Sequence, residues 1–177
     1  MSNLDNRPYK IIPIQSKSEL EDSILVVRQA FSTVAQEMGF TPEDNPTHPS
    51  FMQIQHMYEL KEKNYSLYGL FEKQQQIGFI AIGPKVNGNI NLEKLAVIAE
   101  KRHLGYGRAL IEFAMEFAAK QGADALSLAM INEHTILKKW YESLGFKEIE
   151  TKKFPHLTFT VCFMRMELKT QTNSTTL

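Results

Sequence analysis

LAVIAEKRHLGYG, residues 95–107, runs directly into RALIEFAMEFAAK, residues 108–120. Leu95, Ala96 and Val97 have the composition of an apolar strand end. A short polar turn follows, holding Arg102, His103, Leu104, Gly105, Tyr106 and Gly107, and an amphipathic helix begins near Gly105. Glycines in a strand-to-helix turn let the backbone approach a ligand closely. The helix start also offers N–H groups that have no partner inside the helix. Such a turn suits an anion, most often a phosphate. Gly-x-Gly alone is a weak signal, however. A dinucleotide fingerprint would want a third glycine where Leu110 stands and an acid closing the next strand, whereas Asp124 precedes the apolar run ALSLAM. The dinucleotide reading is poor, and a nucleotide-binding module is left as the weakest alternative.

Arg102-x-x-Gly105-x-Gly107, preceded by Leu95-x-Val97 and followed by Leu110, resembles the acetyl-CoA signature of the GNAT superfamily of N-acetyltransferases. Downstream, Trp140-Tyr141-Glu142-Ser143-Leu144-Gly145-Phe146 resembles that family's second signature, a tyrosine ahead of a Gly-Phe pair. Two motifs in order, a helix and a strand apart, are more specific than either alone. The resemblance is strong from Asn89 to Phe146 and architectural elsewhere. It implies a mixed α/β domain with a mostly antiparallel sheet of about seven strands, helices on both faces and acetyl-CoA between strands four and five.

At 177 residues the chain is expected to be one domain, residues 1–168, followed by a Ser/Thr-rich disordered tail over 169–177. Twenty basic and twenty acidic residues cancel, which argues against a nucleic-acid partner. The lone Cys162 cannot close an internal disulfide and suits a reducing cytoplasm. MSNLDNRPYK lacks a signal-peptide core, and no apolar run reaches membrane-spanning length. The five histidines and one cysteine show no metal-ligand spacing, so no metal is expected.

Along the chain, Tyr9–Ile14 reads as an edge strand interrupted by Pro13. Ser18 and Glu21 fit a capping box, opening a helix with Leu20, Ile24, Val27, Phe31, Val34 and Met38 on one face and Gly39 as its stop. TPEDNPTH (41–48) is a loop, and Pro49 suits the first position of a second helix bearing Phe51, Ile54 and Tyr58. Tyr65–Phe71 and Ile77–Ile82 form a hairpin, with Gly83-Pro84 and Asn87-Gly88 punctuating the next turn. In the fourth strand, Asn89–Val97, apolar residues sit at even positions (Ile90, Leu92) and then at odd ones (Leu95, Val97). A strand changes phase in this way by inserting a residue, so a bulge is expected near Glu93–Leu95. The helix to Gln121 carries Arg108, Glu112, Glu116 and Lys120 toward solvent and Leu110, Phe113, Ala114, Phe117 and Ala118 toward the core. Ala125–Met130, a helix over Glu133–Leu144 closed by Gly145, and strands over Phe146–Glu150 and Leu157–Leu168 complete the chain.

By resemblance, the turn from Arg102 to Arg108 receives the CoA diphosphate, with Arg102 or Arg108 adding positive charge. The pantetheine arm lies along Leu95, Ala96 and Val97, and a strand amide polarises the thioester carbonyl. Tyr141 is the candidate general acid, because a phenol with a reference pKa of about 10 is protonated at neutral pH. Glu93, beside the cofactor arm, is the candidate base; His134 and His156 are rivals. His134 stands where the family often has asparagine, with Asn132 two positions away; the sequence departs here from the family's usual side-chain contact, and both residues are expected at the cofactor. The acceptor is expected to be a small-molecule amine or a peptide amine. Acids in the 42–45 loop point faintly to a polyamine, and the resemblance leaves room for a homodimer. A CoA-binding sensor without turnover is the alternative.

Overall fold

The computed structural model describes residues 7–168; the expected tail, 169–177, lies outside them. In chain order the elements are β1 (Tyr9–Pro13), α1 (Lys17–Met38), a 3-10 turn (Pro49–Phe51), α2 (Ile54–Glu62), β2 (Ser66–Glu72) and β3 (Gln75–Val86). Then come β4 (Asn89–Val97), a second 3-10 turn (Ala99–Lys101), α3 (Tyr106–Lys120), β5 (Ala125–Ile131), α4 (Thr135–Ser143), β6 (Lys147–Lys153) and β7 (Thr160–Glu167). The seven strands make one sheet in the order β1-β2-β3-β4-β5-β7-β6. Every neighbouring pair is antiparallel except β4 with β5. The expected mixed sheet is therefore present, with α3 and α4 packed on one face and α1 and α2 on the other. Ile77, Phe79, Ile80, Ala81 and Ile82 of β3 are fully buried, because both sheet faces are covered there.

Three local expectations need correction. The capping box of α1 is Ser16 with Glu19, not Ser18 with Glu21. Glu19 N–H donates to Ser16 Oγ (3.2 Å), and Glu19 Oε2 accepts from the amides of Ser16 (2.7 Å) and Gln15 (2.9 Å). The helix starts two residues earlier than expected, so Ser18 and Glu21 fall inside its first turns. The second helix does not begin at Pro49. The 3-10 turn there gives way to extended backbone at Met52 and Gln53, which drops the Met52 side chain into the core at 2% exposure. Finally, Gly83-Pro84 lies inside β3. Both residues oppose Asn91 in a bulge, where proline's missing donor costs no ladder bond.

The bulge in β4 is where the phase change placed it. Phe79 pairs with Ala96 and Ala81 with Glu93, so Ile80 alone faces both Lys94 and Leu95. Lys94 adopts φ +54°, a conformation costly for a residue with a Cβ. Before the bulge Ile90 and Leu92 face the α3 side; after it Leu95 and Val97 do, and Ala96 turns to the α1 side.

Candidate active site

The parallel ladder between β4 and β5 covers only Asn89–Asn91 against Ala125–Ser127. Continuing that register would set Glu93 opposite Ala129. Instead the strands part, Ala129 is exposed on an interior strand, and Leu95–Val97 pair only with β3. The bulge produces the parting: it adds local twist and re-aims the strand away from its neighbour. No β5 residue pairs with Leu95, Ala96 or Val97, so apart from the Val97 carbonyl, which Arg102 engages, this edge of β4 is open to an extended ligand, as a sheet edge is to an added strand.

The open strand leads through the 3-10 turn to the start of α3. His103 (φ +62°) and Gly105 (φ +87°) both take left-handed backbone, and nothing lies within 4 Å of where a Gly105 side chain would begin. Gly105 is the N-cap of α3 and no side chain caps the first-turn amides. His103, Leu104 and Arg108 are exposed around them, at the turn where the sequence reading expects an anion. Gly107 does different work from Gly105. A Cβ there would meet the Trp140 ring at 3.2 Å, so its missing side chain lets α4 approach α3.

The two arginines of the turn also part company. Arg102 donates from Nε to the Val97 carbonyl (3.2 Å), from Nη1 to Thr33 Oγ1 (2.9 Å) and from Nη2 to the Ala30 carbonyl (2.5 Å). Its guanidinium therefore fastens the turn to α1 and is not aimed at the first-turn amides of α3. Arg108, exposed, is left as the arginine that can meet an anion there. On the opposite side Glu72, at the end of β2, accepts from Tyr106 OH (2.5 Å) and pairs with Lys101. Lys101 and Tyr106 hold the Glu72 carboxyl below its usual pKa. The turn is clamped from two sides by residues remote in sequence.

Glu93 lies on the α1 side of β4 in a small polar group. Tyr65 OH donates to Glu93 Oε1 (2.8 Å), Asn91 Nδ2 donates to Tyr65 OH (3.2 Å), and Lys94 Nζ stands 3.7 Å from Glu93 Oε2. Burial raises the Tyr65 pKa, which keeps its proton on the phenol and its hydroxyl a donor. Tyr141, in contrast, belongs to the α3-side core at 6% exposure. It packs on Trp140 (4.9 Å between ring centroids) and Phe146 (5.6 Å). Burial pushes its phenol far above the usual value. Asn132 Oδ1 accepts from Lys138 Nζ (3.0 Å), and Lys138 also pairs with Glu148. His134 caps α4, its Nδ1 accepting the Leu137 amide (3.3 Å), and is thereby tied to that helix start. His156 is exposed in the β6–β7 loop, against Phe154.

A roof whose bonds no local pattern marks spans the α1 side. Asn45 is fully buried and exchanges hydrogen bonds with Thr158, joining the 41–48 loop to the β6–β7 loop. Phe40 lies against Phe159 (5.3 Å) and His48 (5.2 Å). His48 is 4% exposed, with Phe31 and Phe51 around it as well. Its Nδ1 takes the Ser50 amide (3.4 Å), and its Nε2 has no partner. Burial, reinforced by Lys94, holds its pKa down to about 4. Its two prolines and two acids marked this stretch as a loop beforehand. The Asn45–Thr158 bond joins residues 113 apart and left no local signal.

Among the described residues no helix is long and apolar enough to cross a membrane, and no cluster of metal-ligating side chains is present. A solved structure of the ribosomal-protein-S18-alanine N-acetyltransferase from Escherichia coli superposes with a TM-score of 0.73 at 17% identity, covering 96% of this chain and 99% of that one. A PaiA N-acetyltransferase from Thermoplasma acidophilum, solved with coenzyme A, gives 0.75 at 19% identity, covering 90% and 98%. Both likenesses concern the fold. In sequence, the chain is 26% identical over 100 residues to a probable N-acetyltransferase camello of Xenopus tropicalis, covering 52% of this chain and 46% of that protein. It is 30% identical over 90 residues to an uncharacterized N-acetyltransferase of Chlorobaculum tepidum, covering 51% and 55%. The chain spans about half the length of these curated relatives. The family model described as an acetyltransferase (GNAT) domain matches residues 36–169. With its β4–β5 split and uncapped α3 start in the matched region, the chain belongs to the GNAT acetyltransferase family.

Proposed function

We propose that the chain transfers an acetyl group from acetyl-CoA to a primary amine by direct attack within a ternary complex. The observation that carries this is the split of β4 from β5, which runs straight into the uncapped start of α3. A long ligand with an anionic end and an extended amide-bearing arm fits that shape. Residues His103 to Arg108 hold the diphosphate through their amides, with Arg108 adding charge. Leu95, Ala96 and Val97 pair with the arm along their open edge. When bound, acetyl-CoA supplies an acyl carbon activated as a thioester and a thiol that leaves.

The chain's own groups supply the rest. Glu93 takes a proton from the acceptor's ammonium, directly or through one water, which frees the nitrogen lone pair for attack, and Tyr65 and Asn91 orient its carboxylate. Where the β3 ladder is interrupted at the Lys94–Leu95 bulge, a strand amide stabilises the charge that grows on the carbonyl oxygen as the C–N bond forms. As the C–S bond breaks, Tyr141 donates its phenolic proton to the departing sulfur, and the proton that the nitrogen sheds on becoming an amide returns to the phenol through solvent. The phenol's raised pKa ensures that this proton is present. Asn132 and His134 lie at the β5–α4 junction, where they line the arm's path. The buried, free Cys162 takes no part and agrees with a reducing, cytoplasmic setting.

Release of free thiol from acetyl-CoA, measured against a panel of amines alongside acetyl-CoA binding, tests the proposal. Amine-dependent release is the expected result. Binding without release by any amine overturns the transferase assignment and leaves a CoA-binding sensor.

A further inference from the structure

The turn ahead of α3 takes a backbone shape that side chains resist. His103 has φ +62° and Gly105 φ +87°, with only Leu104 between them. For His103, which carries a Cβ, that conformation has a cost, and such a residue persists only where its surroundings over-determine it. Arg102 restrains the turn from the α1 side. From the other side the restraint is a single carboxylate at the far end of β2.

Glu72 is the last residue of β2 and is paired with Tyr9 of β1 and Gln75 of β3, so its backbone belongs to the sheet. Its side chain meets both ends of the turn. Oε2 pairs with Lys101, the last residue of the second 3-10 turn, and Oε1 accepts from the hydroxyl of Tyr106, the first residue of α3 (2.5 Å). The Tyr106 ring is buried, with the Tyr9 ring edge-on to it at 5.7 Å. Lys101 and then Tyr106 hold the Glu72 carboxyl below its usual pKa, and the carboxylate in turn raises that of the Tyr106 phenol. At neutral pH the acceptor is therefore ionised and the donor protonated, which makes the bond a charge-assisted one. Lys101 also neutralises the carboxylate, so its charge does not oppose an anion nearby. One side chain thus staples Lys101 to Tyr106 across the left-handed residues.

We propose that Glu72 is a positioning residue for the cofactor. By holding Lys101 and Tyr106 together it keeps the first-turn amides of α3 converged on the diphosphate, which it does not itself touch. The proposal rests on the acetyl-CoA reading and deepens it. Those amides share no side-chain cap, so they diverge when the turn relaxes, and the loss falls on the diphosphate. The acyl end, set by β4, keeps its geometry.

The test is calorimetric titration of the full chain with CoA, together with amine-dependent thiol release from acetyl-CoA and from S-acetylpantetheine, the same thioester without the diphosphate. Glu72→Ala should raise the Kd for CoA about tenfold, as the loss of charge-assisted bonds implies. Tyr106→Phe, which keeps the ring, should raise it about threefold, and the double variant should match Glu72→Ala, because both act through one bond. In Glu72→Ala, kcat/KM for acetyl-CoA should fall with the affinity, while that for S-acetylpantetheine stays. Unchanged or tighter CoA binding by Glu72→Ala, or an equal loss with both thioesters, overturns the inference and leaves a working transferase. No release with any amine overturns the transferase assignment, and the CoA titration still decides the role of Glu72. No binding of CoA by the unaltered chain overturns both.

Discussion

Arg102 and Arg108, six positions apart in one turn, carry the same charge and do different work. Three hydrogen bonds tie Arg102 to Val97, Thr33 and Ala30, so Arg102→Ala should cost about 1–2 kcal/mol of stability, read from urea unfolding. Arg102→Lys should not restore it, because one ammonium cannot reproduce the planar fork. Arg108→Ala should leave stability unchanged and raise the KM for acetyl-CoA about fivefold, less at high salt. Tyr141→Phe removes the proposed acid and should lower kcat about 100-fold with little change in acetyl-CoA binding. Since burial raises the Tyr141 pKa, its ionisation produces no alkaline loss of rate up to about pH 10. His48 is a matter of stability. Its folded pKa of about 4 lies below the roughly 6.5 of an unfolded histidine. As pH falls, the unfolded chain takes up the proton first. The stability present above about pH 6.5 is therefore lost as pH drops toward 4, by about 2 kcal/mol between pH 7 and 5. His48→Leu should flatten that part of the pH–stability curve, measured by urea midpoints at both pH values.

Among the elements, β4 decides most. Its bulge stores left-handed backbone at Lys94, changes which residues meet each face, and releases the strand from β5. Lys94→Gly and Lys94→Val both remove the ion pair with Glu93, so the difference between them isolates the backbone. The valine should be less stable by about 1–2 kcal/mol and should bind acetyl-CoA more weakly, by calorimetry, because a β-branched residue resists φ +54°. Equal stability and affinity in the two variants would show that the bulge does not depend on that conformation. Next to β4, the 3-10 turn and the first residues of α3 stand between two fixed bodies, α1 through Arg102 and the β2 end through Glu72. An anion site with unshared amides needs such support, since the amides themselves repel one another and have no side chain to gather them.

For the whole molecule, the split sheet makes ligand binding a stability event. Acetyl-CoA at about 100 times its Kd should stabilise the fold by about 2.7 kcal/mol and raise Tm by about 5–10 °C in a scanning measurement. ATP or NAD at the same concentration should do less, because neither offers an arm for the open edge of Leu95–Val97. The sequence by itself determined the periodic elements, the glycine-bearing turn, the phase change that marks the bulge, and the family resemblance. Each of these is written in neighbouring residues, where backbone conformation and face alternation are local properties. Only the tertiary structure decided that Arg102 serves α1, that Gly107 makes room for Trp140, and that Glu72 braces Tyr106. It likewise decided that Glu93 has Tyr65 as its partner and that Asn45 and Thr158 close a roof. Those contacts join residues from 28 to 113 positions apart, and nothing local to either partner distinguishes them from ordinary solvated side chains. They exist because the sheet order brings distant segments together, and hydrogen-bonding groups left near its core must find partners there.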